Sequence, residues 1–364
     1  MGSLPHDAQG MTRSLRGQTI HVPDLREILK NWPVQSNIHY ERLSPVVRGA
    51  FDRKIHWGRM VNNSILRHKY HKANYARFVS LYYPHPDLNQ IKTLALFITW
   101  LFCWDDALDQ QGVSSLSSDL SKAKAYRNNT IQVTEEALGL SGGSGVKCDN
   151  VNAELKLIGC ELQKAYSLEQ RQIFMAQMQH YIENCDKEQS LRLQGTLPDM
   201  GSYREIRDGT AGVWLLCALI EFGLSENLPE NIRYMDEIQT IWAETSRAIW
   251  ITNDILSLKK EMPRDDSATE SIVSAVPILM AEKGKSPQQA VDALIAELSV
   301  SVASFEAAAR VLAEAAGEGG RQMVQRYCNA SRCMVTGSIQ FTYESTRYQL
   351  AGCLNDDGSL DITL

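Results

Sequence analysis

Several features that would place a chain in a specialised class are missing from this sequence. Positive charge is not in excess, since 37 Lys and Arg stand against 43 Asp and Glu in 364 residues, a formal net charge of −6. A nucleic-acid-binding surface needs clustered Lys and Arg to neutralise phosphates, so we expect no nucleic-acid partner. The eight cysteines form no CxxC pair and no zinc-like spacing, which indicates reduced and mostly structural thiols.

Long apolar segments are missing as well. The longest one, Leu94 to Trp104, is interrupted by Thr99 and is too short to cross a bilayer. Residues 1–25 are polar and contain no apolar stretch of the kind found in a secretory signal. These absences predict a protein without a membrane span and with a cytoplasmic location.

Alternating strand-like runs are also hard to find, whereas helical periodicity is common. Apolar residues recur at helical spacing in five segments, residues 72–82, 88–109, 153–183, 234–260 and 287–316. Three prolines accompany little periodicity in residues 1–39, which predicts an extended N-terminal arm. Because no internal repeat marks a boundary, residues 40–350 are predicted to form one all-α domain, followed by a C-terminal tail over 351–364.

The first of two polar clusters lies at the end of the longest apolar run. Asp105, Asp106 and Asp109 follow it on a predicted helix that begins at Leu88 and is capped by Asp87. Each helical residue advances about 100°, so Asp105 and Asp109 lie within about 40° of each other and can point into one cavity. An acidic run is often a solvated helix end. Here the apolar turn before it predicts burial, and buried carboxylates are costly without a cation.

The second polar cluster consists of Asn253, Ser257 and Glu261. These residues fall at i, i+4 and i+8, which keeps them within about 80° on one helical stripe. They supply an amide oxygen, a hydroxyl and a carboxylate. Magnesium prefers oxygen ligands and is usually held by one or two carboxylates together with substrate phosphates. Two such clusters across a cavity therefore predict a diphosphate substrate held through Mg²⁺.

Three basic residues and a tyrosine complete this pattern: Arg207, Lys260, Arg347 and Tyr348. A lone Arg is more often a member of a surface ion pair, so each of them carries little weight alone. Together with magnesium they could stabilise the charge that develops on a diphosphate leaving group.

The spacing of these motifs resembles that of class I terpene cyclases of the single-domain microbial type, most of all fungal sesquiterpene synthases. The run Asp105–Asp109 matches the aspartate-rich motif, and Asn253–Glu261 matches the second metal motif, with Lys260 at its frequent basic position. Arg207, 46 residues before Asn253, matches the family's diphosphate sensor. The pair Arg347-Tyr348 matches the Arg-Tyr pair that contacts diphosphate on closure.

The resemblance implies an all-α helical bundle with a central active-site cavity, and an enzyme of the carbon–oxygen lyase class. It implies ionisation of farnesyl diphosphate, cyclisation of the cation to a sesquiterpene and release of diphosphate, with three Mg²⁺ ions. The implied metal ligands are Asp105, Asp106, Asp109, Asn253, Ser257 and Glu261. The implied diphosphate-binding residues are Arg207, Lys260, Arg347 and Tyr348. The implied catalytic residues are Asp105, Arg207, Arg347 and Tyr348.

An allylic cation would be quenched by water, so the rest of the cavity should be dry, apolar and lined by aromatic faces. Helical projection from Asp105 places three preceding residues on its face, and Trp250 lies one turn before Asn253. Each candidate could equally be an ordinary core residue. The candidate wall residues are Phe78, Ile98, Leu101, Phe102, Ala211, Trp250 and Phe341.

One departure from the family pattern follows the sensor. Thr210 and Ala211 stand where many relatives place a linker Asp and an effector carbonyl, and Asp208 and Gly209 are displaced. Gly209 and Gly212 still predict a helix break, because glycine weakens a helix interior. Which residue presents the effector carbonyl stays open, as does the general base.

Alternatives to a sesquiterpene cyclase also stay open. A diterpene cyclase acting on geranylgeranyl diphosphate would need only smaller wall residues. A head-to-tail prenyltransferase normally carries a second aspartate-rich motif, which Asn253, Ser257 and Glu261 replace here. A non-catalytic helical scaffold for apolar ligands is disfavoured by the intact metal motifs. A homodimer is left open as the assembly state.

Overall fold

Helices make up most of the protein in the computed structural model, which describes residues 6–57, 63–109, 113–143, 145–263 and 272–364. The helices are α1 (Ala8–Leu15), α2 (Tyr40–Trp57), α3 (Asn63–Ala73), α4 (Tyr75–Tyr82), α5 (Leu88–Asp109), α6 (Leu120–Ala137), α7 (Ala153–Ala165), α8 (Leu168–Gln194), α9 (Met200–Thr210), α10 (Val213–Cys217), α11 (Ile220–Leu224), α12 (Glu230–Arg233), α13 (Asp236–Leu256), α14 (Leu258–Glu261), α15 (Ala275–Lys283), α16 (Pro287–Ala315) and α17 (Gly317–Glu344). The strands are β1 (His6–Asp7), β2 (Thr19–Val22), β3 (Thr196–Leu197) and β4 (Leu360–Thr363). Short 3₁₀ helices cover Leu25–Glu27, Ser115–Ser118 and Thr346–Tyr348.

The central helix α5 has the bounds that the sequence predicts. It begins after Asp87, whose Oδ1 accepts hydrogen bonds from the backbone N–H groups of Asn89 and Gln90 at 2.8 and 2.9 Å. Its side chains from Ile91 onward are apolar around most of the helix, and most of them are buried. A helix that is apolar on all sides belongs in the interior. Helix α5 therefore delivers the first polar cluster from the core to its own C-terminal end.

Three predicted helical segments are interrupted in the structure. The segment 153–183 divides before Ser167, because Ser167 and Gln170 form a capping box that starts α8. The segment 72–82 divides at Asn74, which has a left-handed backbone with φ of 58°. The helix that carries the second cluster ends at Leu256, and Ser257 forms the turn before α14.

The helices pack as a bundle that encloses a cavity. Helix α13 lies against α16 and α17, α17 lies against α4, α8 lies against α9, and α5 lies against α2, α4 and α7. The largest fully buried side chains include Trp100, Trp104 and Trp250, so the aromatic core surrounds α5 and α13. The predicted all-α class is confirmed. None of the described helices has both the length and the apolar character that a membrane crossing requires.

The two ends of the chain lie side by side. Strand β2 pairs antiparallel with β4, from Thr19 opposite Thr363 to Val22 opposite Leu360. Strand β1 pairs antiparallel with β3. The sequence predicted an extended N-terminal arm. In the structure the arm also contains α1, an eight-residue helix that begins after Asp7. Apolar spacing over so few residues is a weak signal, which explains why the periodicity did not reveal it.

Candidate active site

A cavity of about 420 Å³ lies inside the bundle and brings the two polar clusters together. Asp105, Asp106 and Asp109 line it from α5, and Asn253 and Glu261 line it from α13 and α14. Its volume falls within the range of about 300–1,000 Å³ that is usual for small-molecule sites. The clusters are far apart in the chain and share one cavity because α5 and α13 both pass through the core.

Within the first cluster, Asp106 is held from behind by α3. Its Oδ2 accepts a hydrogen bond of 2.5 Å from the phenol of Tyr70 and lies 3.8 Å from the ammonium of Lys69. Asp106 is buried. A carboxylate with these two partners is already stabilised in part by the chain.

Asp105 and Asp109 are less well compensated. The phenol of Tyr181 donates to Asp105 Oδ1 at 3.1 Å, and Arg192 Nη2 lies 3.8 Å from Asp109 Oδ1. Burial and the nearby Asp109 charge raise the pKa of Asp105 well above its ordinary value. Burial and the charge of Glu188, which also lines the cavity, raise the pKa of Asp109 in the same way. This end of the cavity therefore carries excess negative charge that a cation would relieve.

The second cluster is connected to a buried ion pair. Arg207 Nη2 donates to Asn253 Oδ1 at 2.8 Å, and Arg207 Nε donates to Asp254 Oδ1 at 3.0 Å. The other oxygen of Asp254 accepts from the phenol of Tyr203 at 2.5 Å and from the backbone N–H of Ala275 at 2.9 Å. The guanidinium thus has a fixed direction. Asp254 and Asn253 accept from only some of the N–H groups of Arg207, so its other donors remain for a ligand in the cavity.

Ser257 differs from its neighbours in the predicted stripe. It lies in the turn between α13 and α14, is 1% exposed, and is not among the residues that line the cavity. Its Oγ is buried and has no hydrogen-bond partner among the described residues. Leaving a buried hydroxyl unsatisfied costs about 1–3 kcal/mol, so such a group calls for a partner outside the chain.

The cationic side of the cavity is formed by Lys260 and Arg347. Lys260 Nζ lies 3.4 Å from Glu261 Oε1 and 5.5 Å from the ring centroid of Tyr348. The Arg347 guanidinium lies 5.7 Å from the ring centroid of Phe102, and its Nη1 is buried without a partner among the described residues. Burial lowers the pKa of Lys260. Both cations would therefore gain from an anion placed between them.

The donor set suits a hard metal ion that arrives with a phosphorylated ligand. No three His, Cys, Asp or Glu side chains of the described residues are gathered into a preformed metal cage. Magnesium does not need one, since it is usually held by one or two carboxylates together with phosphate oxygens and water. The excess charge at Asp105 and Asp109 and the unsatisfied Ser257 Oγ fit this mode of binding.

Apolar and aromatic side chains form much of the remaining cavity wall. Five of the seven predicted wall residues line it: Phe78, Leu101, Phe102, Ala211 and Trp250. Ile98 and Phe341 do not, and this corrects the prediction. Ile98 is fully buried on α5, where neighbouring helices cover the face that the helical projection selected. Phe341 packs edge-on behind Phe78, with ring centroids 5.1 Å apart.

Comparison with known proteins agrees with this geometry. Residues 96–304, more than half of the chain, match the sequence model described as "Terpene synthase family 2, C-terminal metal binding". The chain belongs to this terpene synthase family. The matched region contains both polar clusters and Arg207, and the family description shows that the terpene synthase uses a divalent metal.

Curated relatives align with the synthase over nearly its whole length. Sesquiterpene cyclase hepA of Aspergillus oryzae is 27% identical over 362 residues, which cover 96% of this chain and 95% of that protein. Terpene cyclase braA of Annulohypoxylon truncatum is 25% identical over 93% of this chain and 88% of the relative. Germacrene A synthase of Nostoc punctiforme is 23% identical over 87% of this chain and 93% of the relative.

Solved structures show the same fold. A point variant of cucumene synthase superposes with a TM-score of 0.70 at 17% identity, covering 87% of this chain and 99% of the other. Hedycaryol synthase in complex with HEPES gives a TM-score of 0.68 at 17% identity, covering 85% and 95%. The predicted class I terpenoid synthase fold is therefore confirmed, and the protein is a terpene cyclase of the lyase class.

The helix break of this synthase follows the sensor as predicted. Helix α9 ends at Thr210, and Gly212 has φ of 69°, a left-handed conformation that favours glycine. Thr210 and Ala211 face the cavity. Asp208 does not, because its carboxylate accepts a 2.8 Å hydrogen bond from the indole N–H of Trp214 across the break.

Several lining residues were missed by the sequence reasoning: Tyr82, Tyr181, Glu188, Thr210, Val213, Leu216, Ile249, Asp254 and Val273. Helical spacing could have indicated two of them, Tyr181 and Glu188. Tyr181, Glu188 and Arg192 lie at i, i+7 and i+11, which places them on one face of α8. Val273 offered no such signal, since it lies outside the helices.

Proposed function

We propose that this terpene synthase converts farnesyl diphosphate into a sesquiterpene and releases diphosphate in a Mg²⁺-dependent reaction. One observation carries the proposal: two oxygen-rich clusters, cationic side chains and aromatic side chains line the same cavity. The likeness to sesquiterpene cyclase hepA supports the fifteen-carbon substrate.

The proposed metal ligands are the two polar clusters: Asp105, Asp106, Asp109, Asn253, Ser257 and Glu261. We expect three Mg²⁺ ions. When bound, they would neutralise the diphosphate and stabilise the negative charge that grows on it as the C–O bond breaks. Asp105 and Asp109 have the greatest need of a cation, because burial and neighbouring carboxylates disfavour their charge. Asp106 contributes less freely, since Tyr70 and Lys69 already hold it.

The chain's own cations would bind the diphosphate directly. Arg207, oriented by Asp254, would donate from one side, and Lys260, Arg347 and Tyr348 from the other. The electron pair of the breaking C–O bond passes to the diphosphate, and donors fixed in advance stabilise that charge without reorganising. On this proposal Asp105, Arg207, Arg347 and Tyr348 are the catalytic residues.

The aromatic walls would shelter the allylic cation. Phe78, Phe102 and Trp250 present rings to the cavity, and Tyr82 stacks on Phe78 with centroids 3.9 Å apart. A well-placed ring stabilises a cation by about 0.5–2 kcal/mol. The same walls exclude water, which would otherwise capture the cation.

Purified protein incubated with Mg²⁺ and either farnesyl or geranylgeranyl diphosphate tests the proposal, with gas chromatography of the extract. A fifteen-carbon hydrocarbon or alcohol from farnesyl diphosphate is the expected product. A twenty-carbon terpene would indicate a diterpene cyclase, and a longer diphosphate would indicate a prenyltransferase. Complete recovery of both substrates would refute catalysis.

We further propose that residues 40–350 form the catalytic unit, with the arm 1–39 and the tail 351–364 packed on it. The cytoplasmic location and the homodimer stay predictions. Size-exclusion chromatography with light scattering measures the assembly state.

A further inference from the structure

The N-terminal arm contacts the bundle beside each of the three segments that carry proposed diphosphate-binding residues. Strand β1 pairs with β3, which directly precedes α9 and its Arg207. Strand β2 pairs with β4, which follows Arg347 and Tyr348. Helix α1 packs against α15, the helix that follows the second metal motif. The arm thus contacts the chain before Arg207, after the second metal motif and after Tyr348.

The contacts of α1 are the most specific of these. Arg16 Nη2 donates a 2.9 Å hydrogen bond to the carbonyl of Pro263, two residues beyond Glu261. The backbone N–H of Ile272 donates a 3.0 Å hydrogen bond to Thr12 Oγ1. Thr12, near the end of α1, and Arg16, directly after it, therefore hold the chain at Ile272 and at Pro263.

Thr12 is well suited to this contact. It is 4% exposed, and its hydroxyl donates to the carbonyl of Ala8 at 2.8 Å while it accepts from Ile272. A buried backbone N–H requires an acceptor, and here the hydroxyl supplies it. Valine at this position would keep the shape and remove the acceptor.

A short path leads from Ile272 to the proposed diphosphate sensor. Val273, the next residue, lines the cavity. Ala275, three residues after Ile272, donates its backbone N–H to Asp254 Oδ2 at 2.9 Å. The other oxygen of Asp254 holds Arg207 at 3.0 Å. A shift of the backbone at Ile272 would therefore reach the guanidinium through two hydrogen bonds.

We propose that Thr12 and Arg16 are positioning residues for the diphosphate site. They hold the chain beyond the second metal motif so that Asp254 keeps Arg207 aimed into the cavity. Neither of them is among the residues that line the cavity, so they act through Ile272 and Pro263. This inference rests on the proposed function, because it concerns the binding of a diphosphate with Mg²⁺.

The test compares T12V and R16M with two matched controls in the full chain. T12S keeps the hydroxyl. S14A alters the same helix at an exposed residue whose hydroxyl bonds within the helix, to the carbonyl of Met11 at 2.7 Å. Calorimetric titration with inorganic diphosphate and Mg²⁺ gives Kd without catalysis, and steady-state assays with farnesyl diphosphate give KM and kcat.

We expect T12V to raise Kd and KM about three- to tenfold, the effect of losing one hydrogen bond, with a smaller change in kcat. R16M should raise Kd and KM as well. T12S and S14A should match the wild type. If T12V does not fold, R16M decides the matter, because Arg16 is a surface residue.

Unchanged Kd and KM in T12V and R16M would overturn the proposal. A lower melting temperature with unchanged Kd would also overturn it, since the contacts would then be structural only. The proposed function fails on a different result, namely wild-type protein that leaves isoprenoid diphosphates unconverted.

Discussion

The Tyr203 hydroxyl offers a sharp test of how the sensor is held. It donates a 2.5 Å hydrogen bond to Asp254, the carboxylate that orients Arg207, and Tyr203 is 2% exposed. The substitution Y203F removes this one bond and keeps the ring, which packs edge-on against Trp250. The perturbation therefore acts on Asp254 and leaves the packing in place.

The expected magnitude follows from the charge on Asp254. A hydrogen bond to a charged group contributes about 1.5–3 kcal/mol. Unfolding entropy of about 2.1 cal/mol/K per residue over 364 residues converts this loss into a fall in Tm of about 2–4 °C. If half of this free-energy loss comes from a less well oriented Arg207 guanidinium, the affinity for diphosphate with Mg²⁺ should fall about four- to tenfold.

Calorimetry of inorganic diphosphate with Mg²⁺ and thermal unfolding are the two assays. Y166F is the matched control, because the Tyr166 hydroxyl is buried and bonds to the backbone of Ala218 and Phe222, away from the cavity. It should lower Tm without changing Kd. Equal Kd values for Y203F and Y166F would refute the role given to Asp254.

Three further predictions concern the cavity. D105N should lower turnover of farnesyl diphosphate at least about 100-fold. Its Tm should be unchanged or higher, because the substitution removes a half-buried charge that lies near the charge of Asp109. Wild-type turnover would exclude Asp105 from the metal site. F102L should change the product mixture on gas chromatography more than F341L does, since Phe102 lines the cavity and Phe341 packs against Phe78. Equal product profiles would mean that Phe102 does not contact the reacting cation. Chelation of the metal with EDTA should abolish turnover. Addition of Mg²⁺ and diphosphate at about 100 times Kd should raise Tm by about 3 °C. An unchanged Tm would mean that Mg²⁺ and diphosphate do not bind the native state.

Helical spacing explains what could be predicted from the sequence. Helix α5 is apolar around its circumference and begins at a good capping residue, so its bounds and its acidic end followed directly. The positions i and i+4 share a face on any helix, which is why Asp105 and Asp109 reach one cavity. The resemblance to the family also related Arg207 to Asn253, and the two are hydrogen-bonded in the structure.

The rest depends on contacts between distant segments. Ser257 is absent from the cavity lining although its backbone N–H still bonds to the carbonyl of Asn253 at 2.8 Å, so a helical projection does not report which side chains reach the cavity. Ile98 has the right direction, but the projection does not report which neighbour covers it. Glu188 shares one face of α8 with Tyr181, but only the packing of α8 beside α9 determines that this face reaches the site. The same holds for the path from Thr12 to Asp254.

The most direct measurement titrates inorganic diphosphate, with and without Mg²⁺, into the wild type, D109N and N253A. Asp109 and Asn253 line the same cavity and belong to different clusters. If both clusters hold one metal–diphosphate group, wild-type binding requires Mg²⁺ and each variant loses most of it. Binding that needs no Mg²⁺, or that survives intact in either variant, would contradict a shared site.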